Sequence, residues 1–178
     1  TLTIAGALDR TTLVDGVTFT DSGAQFGVAV SNGAHLTFHD VTFRDATRAV
    51  AVFSDAHPLF SACHFENNAD HALSVGNQST ATVEDSLFVN NPGAPFASVG
   101  GANVIRRSNF SGNTAPVTIQ QASGSLLVER VVITGNTGGI GSFSAPLTVR
   151  DSLVAGNTGT AINVTSSLVV LRSTIADN

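Results

Sequence analysis

Val83-Glu84-Asp85-Ser86-Leu87-Phe88-Val89-Asn90-Asn91 alternates apolar or small residues with charged ones and closes on an aromatic residue, two positions, then Asn. The closing phrase recurs: Phe65 with Asn68, Phe88 with Asn91, Phe110 with Asn113, Ile133 with Asn136, Val154 with Asn157, Ile175 with Asn178. Degenerate copies at Phe19 with Ser22 and Phe43 with Ala46 bring the total to eight, at steps of 24, 22, 23, 22, 23, 21 and 21 residues. A fixed period of this length marks a structural unit stacked on copies of itself.

Each repeat reads as three short strands. In Val83 to Phe88, Val128 to Ile133 and Val149 to Val154, positions five before, two before and at the phrase residue are apolar or small, which is the pattern of a bent strand pair. A third strand is expected after each Asn turn, at Val28-Ala29-Val30, Val50-Ala51-Val52, Leu73-Ser74-Val75, Val117-Thr118-Ile119 and Ile162-Asn163-Val164. Gly, Ser, Asn and Pro supply the corners. No window carries helical spacing over three turns. Three strands and three corners in about 22 residues make one turn of a coil, with successive turns paired as parallel strands about 4.8 Å apart.

The phrase, the Asp-Ser corner before it and the Gly-rich approaches Gly138-Gly139-Ile140 and Gly159-Thr160-Ala161-Ile162 resemble repeats of the pectin-lyase-like superfamily. The resemblance is greatest to polymorphic outer-membrane and autotransporter passenger repeats, and the opening Leu2 to Gly6 and Thr12 to Gly16 resembles the first turns of such modules. It implies an all-β, right-handed, single-stranded parallel β-helix of about eight rungs. A scaffold of this kind does not by itself name an activity.

Composition narrows the function classes. The chain of 178 residues has no Lys, Met, Trp or Tyr, and all eight basic residues are Arg. It is expected to be one β-helix segment, residues 1–178, and a processed or interior piece of a longer solenoid. Neither a signal peptide nor a membrane-spanning run is present, so no direct membrane insertion is expected. A net charge of -5 argues against nucleic acid and acidic membranes as partners. The single cysteine, Cys63, falls two before Phe65 at an inward position and reads as core.

With the phrase as a ruler, Phe19, Phe43, Phe65, Phe88 and Phe110 should stack inside the coil, continued by Ile133, Val154 and Ile175. Asn68, Asn91, Asn113, Asn136 and Asn157 should form a structural hydrogen-bonded column with Asn178. Four positions before the phrase the column runs Asp15, His39, Ser61, Glu84, Arg106, Glu129, Arg150, Leu171; three before, it runs Gly16, Asp40, Ala62, Asp85, Arg107, Arg130, Asp151, Arg172. Signs alternate from Glu84 to Arg150, so these charges read as pairs between rungs, each of roughly 0.2–1 kcal/mol. Arg44 and Glu66 should pair in the same way.

Candidate chemistry is sparse. Glycan hydrolysis needs two carboxylates about 5 Å apart for retention, or roughly 6.5–9.5 Å for inversion. Asp21 with Asp45 suits the first spacing and Asp40 with Asp85 the upper edge of the second. The polygalacturonase-like signatures Gly-His-Gly, Arg-Ile-Lys and Asp-Asp are missing, and so are the Lys and Tyr that often serve as lyase bases. All five histidines, His35, His39, His57, His64 and His71, fall in rungs two and three. His35 and His57 share an offset and, with Asp55, form the candidate Zn or Ni site; the bland alternative is a solvated surface patch. No cofactor is expected.

No repeat exceeds 24 residues, so no corner can build a deep cleft. The function expected is a structural or adhesive stalk of an exported protein, extracellular or on a bacterial cell surface. Its expected partners are flanking β-helix rungs or another chain at the open ends, and surface glycans or host proteins along the rod. The competing readings are a polysaccharide lyase or hydrolase using Asp15, His39, Asp40 and Asp85, and a filament subunit that assembles end to end.

Overall fold

The computed structural model describes residues 1–20, 26–76 and 78–178. Its strands form three parallel eight-stranded sheets, and each successive strand of the chain moves to the next sheet, so every third strand returns one rung further along. The first sheet comprises Leu2–Ala5, Val28–Ser31, Arg48–Val52, His71–Val75, Ala94–Ser98, Ile119–Gln121, Ile140–Ser142 and Ile162–Val164. The second runs from Leu13–Asp15 through Thr37–His39, Leu59–Ser61, Thr82–Glu84, Ala102–Arg106, Ser125–Glu129 and Leu147–Arg150 to Leu168–Leu171. The third runs from Thr18–Thr20 through Thr42–Arg44, His64–Glu66, Leu87–Val89, Asn109–Ser111, Val132–Thr134 and Leu153–Ala155 to Thr174–Ala176.

The register of the third sheet follows the phrase residue by residue. Phe19 pairs with Phe43, Phe43 with Phe65, Phe65 with Phe88, Phe88 with Phe110, Phe110 with Ile133, Ile133 with Val154 and Val154 with Ile175. Phe65, Phe88 and Phe110 are stacked at centroid separations of 4.4 Å with interplanar angles of 3° and 4°. A second stack, Phe38 on Phe60 at 5.0 Å, meets the first edge-on through Phe43 and Phe65. The two columns interlock at the centre of the coil.

Polar ladders close two of its corners. Asn113 donates from Nδ2 to the Phe88 carbonyl at 3.0 Å and to Asn136 Oδ1 at 2.8 Å, while its own Oδ1 accepts from the backbone and side-chain nitrogens of Asn91. The same set of bonds repeats at Asn91, Asn136 and Asn157, and Asn68 makes the same two donations. Where the column has Ala46, its amide still donates to Asn68 Oδ1; Ser22 lies outside the described residues. A second ladder occupies the position two before the phrase. Ser86, Ser108, Ser152 and Ser173 each donate to the carbonyl two residues back, and each accepts an amide from the preceding rung. Cys63 copies this geometry, donating from Sγ to Ser61 O at 3.4 Å.

Both corners turn on a single left-handed residue. Asp40, Ala62, Asp85, Arg107, Arg130, Asp151 and Arg172 have φ between 46° and 55° immediately after the second-sheet strand. Asp45, Asn67, Asn90, Gly112, Gly135, Gly156 and Asp177 turn the corner just before the Asn column. The second set consists of Asp, Asn and Gly, the residues that tolerate this conformation. The first includes Ala and three Arg, which do not. Arg130, at φ 54°, has no ion pair within 4.0 Å among the described residues. Arg130→Gly is therefore expected to raise the unfolding free energy by about 0.5–1 kcal/mol, seen as a higher urea midpoint at unchanged slope.

The structure shifts one third strand and adds two. The strand expected at 117–119 is Ile119–Gln121, because the Thr118 and Ile119 amides both converge on the Gly139 carbonyl and delay the ladder. Ala94–Ser98 was not among the expected strands, and Ile140–Ser142 was marked only by the Gly138-Gly139-Ile140 approach to it. Pro95 and Gly141 make those segments look like corners in sequence. At the last rung Leu168, Val169, Val170, Leu171 and Ile175 are exposed, whereas Val149 and Val154, one rung back from Val170 and Ile175, are buried.

Candidate functional site

The charged face lies where the second sheet turns into the third, and the strand register dictates its pairing. Glu84 is aligned with Arg106 and accepts from its Nε at 2.7 Å and Nη2 at 2.6 Å, with Arg107 Nη2 at 3.0 Å. Arg107 grips Asp85 with two parallel bonds of 2.8 Å. Arg150 meets Glu129 at 3.1 Å, and Arg172 meets Asp151 at 2.6 and 2.8 Å. The column resolves into discrete pairs, Glu84–Arg106 and Glu129–Arg150. Arg44 departs from expectation: it sits in register with Glu66, but its ion pair, at 3.8 Å, is with neighbouring Asp45.

The Arg107 fork holds the Asp85 carboxyl below the usual carboxylate range and is itself raised by that bond; Arg172 lowers Asp151 in the same way. A carboxyl depressed in the folded state stabilises above its unfolded pKa of about 3.9, and that stability is lost as pH falls through the lower folded value. The difference in urea midpoint between the native protein and Asp85→Asn is thus expected to be steady above about pH 5 and to close between about pH 4 and pH 2. Both partners are well exposed, so a gap under about 1 kcal/mol is expected. A gap independent of pH would exclude the ion pair as its cause.

The candidate acid–base residues do not converge as a group. Asp15 and His39 are in register on the second sheet, with Oδ1 and Nδ1 2.7 Å apart and both side chains half exposed. Asp40 follows at the corner, in the left-handed region. Asp85 stands two rungs on, past Ala62, and is engaged by Arg107. Asp21 lies outside the described residues. The depressions on the described surface, of about 250 and 270 Å³ on the first sheet and about 460 Å³ against the last rung, are lined by none of these four residues.

His35 and His57 do stack, with ring centroids 4.7 Å apart and the planes tilted by 46°. His57 has both nitrogens occupied, Nδ1 by Thr80 Oγ1 at 2.8 Å and Nε2 by Asp55 Oδ1 at 3.2 Å. Among the described residues no group of three or more His, Cys, Asp and Glu side chains is arranged to hold a metal ion. Burial pushes the Cys63 thiol up to about 11, so it stays protonated and unreactive at neutral pH.

A further cluster escaped the sequence reading. Arg48 and His71 are in register on the first sheet, and Asp70 links them: its Oδ2 accepts from Arg48 Nε and its Oδ1 lies 2.7 Å from His71 Nδ1. The Arg48 guanidinium lies over the Phe26 ring, 5.8 Å from its centroid. Measured from the phrase, Arg48 falls level with Asp70. Measured from Val50 and Leu73, which pair in the structure, it falls level with His71. The first-sheet strands were the ruler that would have found it.

Among the described residues no helix is long and apolar enough to cross a membrane. No curated protein and no solved structure matched the chain. The sequence model of the family described as "right handed beta helix region" matches residues 6–125. That span covers more than half of the chain and takes in all five histidines, the Glu84–Arg106 and Asp85–Arg107 pairs and the ladder from Asn68 to Asn113, and the chain belongs to the right-handed β-helix family.

Proposed function

We propose that this β-helix is a structural and adhesive stalk segment of an exported surface protein, of the pectin-lyase-like, autotransporter-passenger kind, with no catalysis of its own. The observation that carries the reading is the outer surface: three flat parallel sheets joined by tight corners, with Glu84, Asp85, Glu129 and Asp151 each held by an arginine. Paired carboxylates on an open face set register and stay soluble. They offer neither an unpaired acid nor walls that exclude water.

Such a rod suits weak contacts repeated along its length, with surface glycans or host proteins as partners. Flanking rungs or another chain would cover Leu168 to Leu171 and Ile175 at the last rung. The test is to couple the segment to beads and challenge them with a glycan array and with cultured cells. Binding that grows with bead valency, without release of new reducing ends or unsaturated products from polysaccharides, is the expected result. Product release would sink the stalk reading and favour a carbohydrate-active module, for which the hydrogen-bonded and half-exposed Asp15–His39 pair is the observation in favour.

A further inference from the structure

We propose that Arg48, Asp70 and His71 form a proton-gated binding site for a small carboxylate or phosphate on the outer face of the first sheet. The site is built by register. Arg48 and His71 are adjacent on paired strands, and Asp70, on the corner that precedes the His71 strand, reaches both. Asp70 takes the Nε of Arg48 and the Nδ1 of His71, which leaves the imidazole Nε2 uncommitted to Asp70. Among the described residues, His71 Nε2 and the two Nη groups of Arg48 have no protein partner, and both side chains line the same depression of about 250 Å³.

The shape of the depression points to what it would hold. A planar guanidinium with free terminal nitrogens matches the two oxygens of a carboxylate or phosphate, and the Phe26 ring lies beneath it at 5.8 Å. The floor is open because Ser74 and Ala97 stand where larger side chains would fill it, and Val99 forms an apolar rim. A dry cavity of about 150 Å³ already takes a benzene ring, so this volume admits an anion carried on a ring-sized body.

The gate follows from charge. With His71 neutral, Arg48 and Asp70 cancel, so an anion entering the depression meets no net positive charge. With His71 protonated the cluster carries one net positive charge beside its free donors. Among the described residues, Arg48 and His71 are the only titratable side chains lining the depression. Of the strands that flank His71, one contributes Arg48 and the other Ala94, so among the described residues Asp70 is the one further charged group at the imidazole.

The experiment titrates the segment with benzoate at about pH 5.5 and about pH 8, following the His71 ring by NMR, with benzyl alcohol and inorganic phosphate as comparison probes. Saturable benzoate binding in the millimolar range at the lower pH is expected, at least about tenfold weaker at the higher pH, with no saturation by benzyl alcohol. Phosphate binding at about pH 5.5, where phosphate like benzoate is mainly a monoanion, would mean the oxyanion alone suffices; benzoate binding without phosphate would assign the apolar rim a share. Arg48→Gln should abolish binding at both pH values. Asp70→Asn should tighten binding at about pH 8, since the competing carboxylate is gone. A purely structural ion pair would not produce that gain. The proposal is overturned if the native protein shows no saturable anion binding at about pH 5.5, or if Arg48→Gln, shown folded by circular dichroism, binds as the native protein does.

Discussion

Asn113→Ala is expected to lower the unfolding free energy by about 3–5 kcal/mol. The side chain is fully buried and makes four bonds within the ladder: two donated, to Phe88 O and Asn136 Oδ1, and two accepted, from Asn91 N and Asn91 Nδ2. Truncation leaves the Asn91 amide and the Phe88 carbonyl without those partners inside a dry corner. Each orphan costs about 1–3 kcal/mol, and no side chain at Ala would relieve either. Against a typical total of about 5–15 kcal/mol, this places the rung close to unfolding at room temperature.

Asn113→Asp separates hydrogen bonding from packing, because the shape is kept while the donor is lost. At neutral pH the carboxylate would face two acceptors, Phe88 O and Asn136 Oδ1, so the variant should be less stable than Asn113→Ala. Burial raises the folded pKa of the new group above about 3.9. Its contribution is therefore most favourable below that value and is lost as pH rises through the folded pKa. Urea unfolding at about pH 3 and about pH 7 should show the Asp variant recovering most of its deficit at the acid end, while the Ala variant keeps its own. If the Asp variant were no worse at pH 7 than at pH 3, the ladder would not be the source of the loss.

The third sheet and its two columns were legible because one chemical phrase sits at a constant distance from its corner. Phe-x-x-Asn carries both the apolar core residue and the turn amide, and every pairing from Phe19 to Ile175 follows from it. The first sheet was less legible for a physical reason: the corner after the Asn varies in length, so offsets from the phrase drift by one or two residues before the next strand begins. That drift put Arg48 level with Asp70 in the sequence and level with His71 in the fold. The serine ladder went unseen because a small residue at an inward position reads as packing. Only the fold reveals that Ser86 and Ser108 each accept an amide from the preceding rung. Likewise, nothing in Arg107 or Arg130 announces a left-handed backbone, whereas the Asp, Asn and Gly of the other corner do.

Phe88→Ala should cost about 3–5 kcal/mol, the range for a fully buried phenylalanine truncated to a methyl group. The ring is stacked on both faces, 4.4 Å from Phe65 and 4.4 Å from Phe110, and each stack adds about 0.5–1.5 kcal/mol beyond the area buried. The column shows what the site tolerates, since Ile133 and Val154 occupy it further along. Phe88→Leu should accordingly lose about 1–2 kcal/mol, less than half the Ala value. Because each rung contacts only its neighbours, the damage should also be local. Hydrogen exchange on Phe88→Ala should speed up at the amides of the Phe65, Phe88 and Phe110 strands and leave the Val154 strand near its native rate. Uniform acceleration from Thr18 to Ala176 would mean that the rungs unfold as one cooperative unit, and a nearest-neighbour account of this coil would then have to be abandoned.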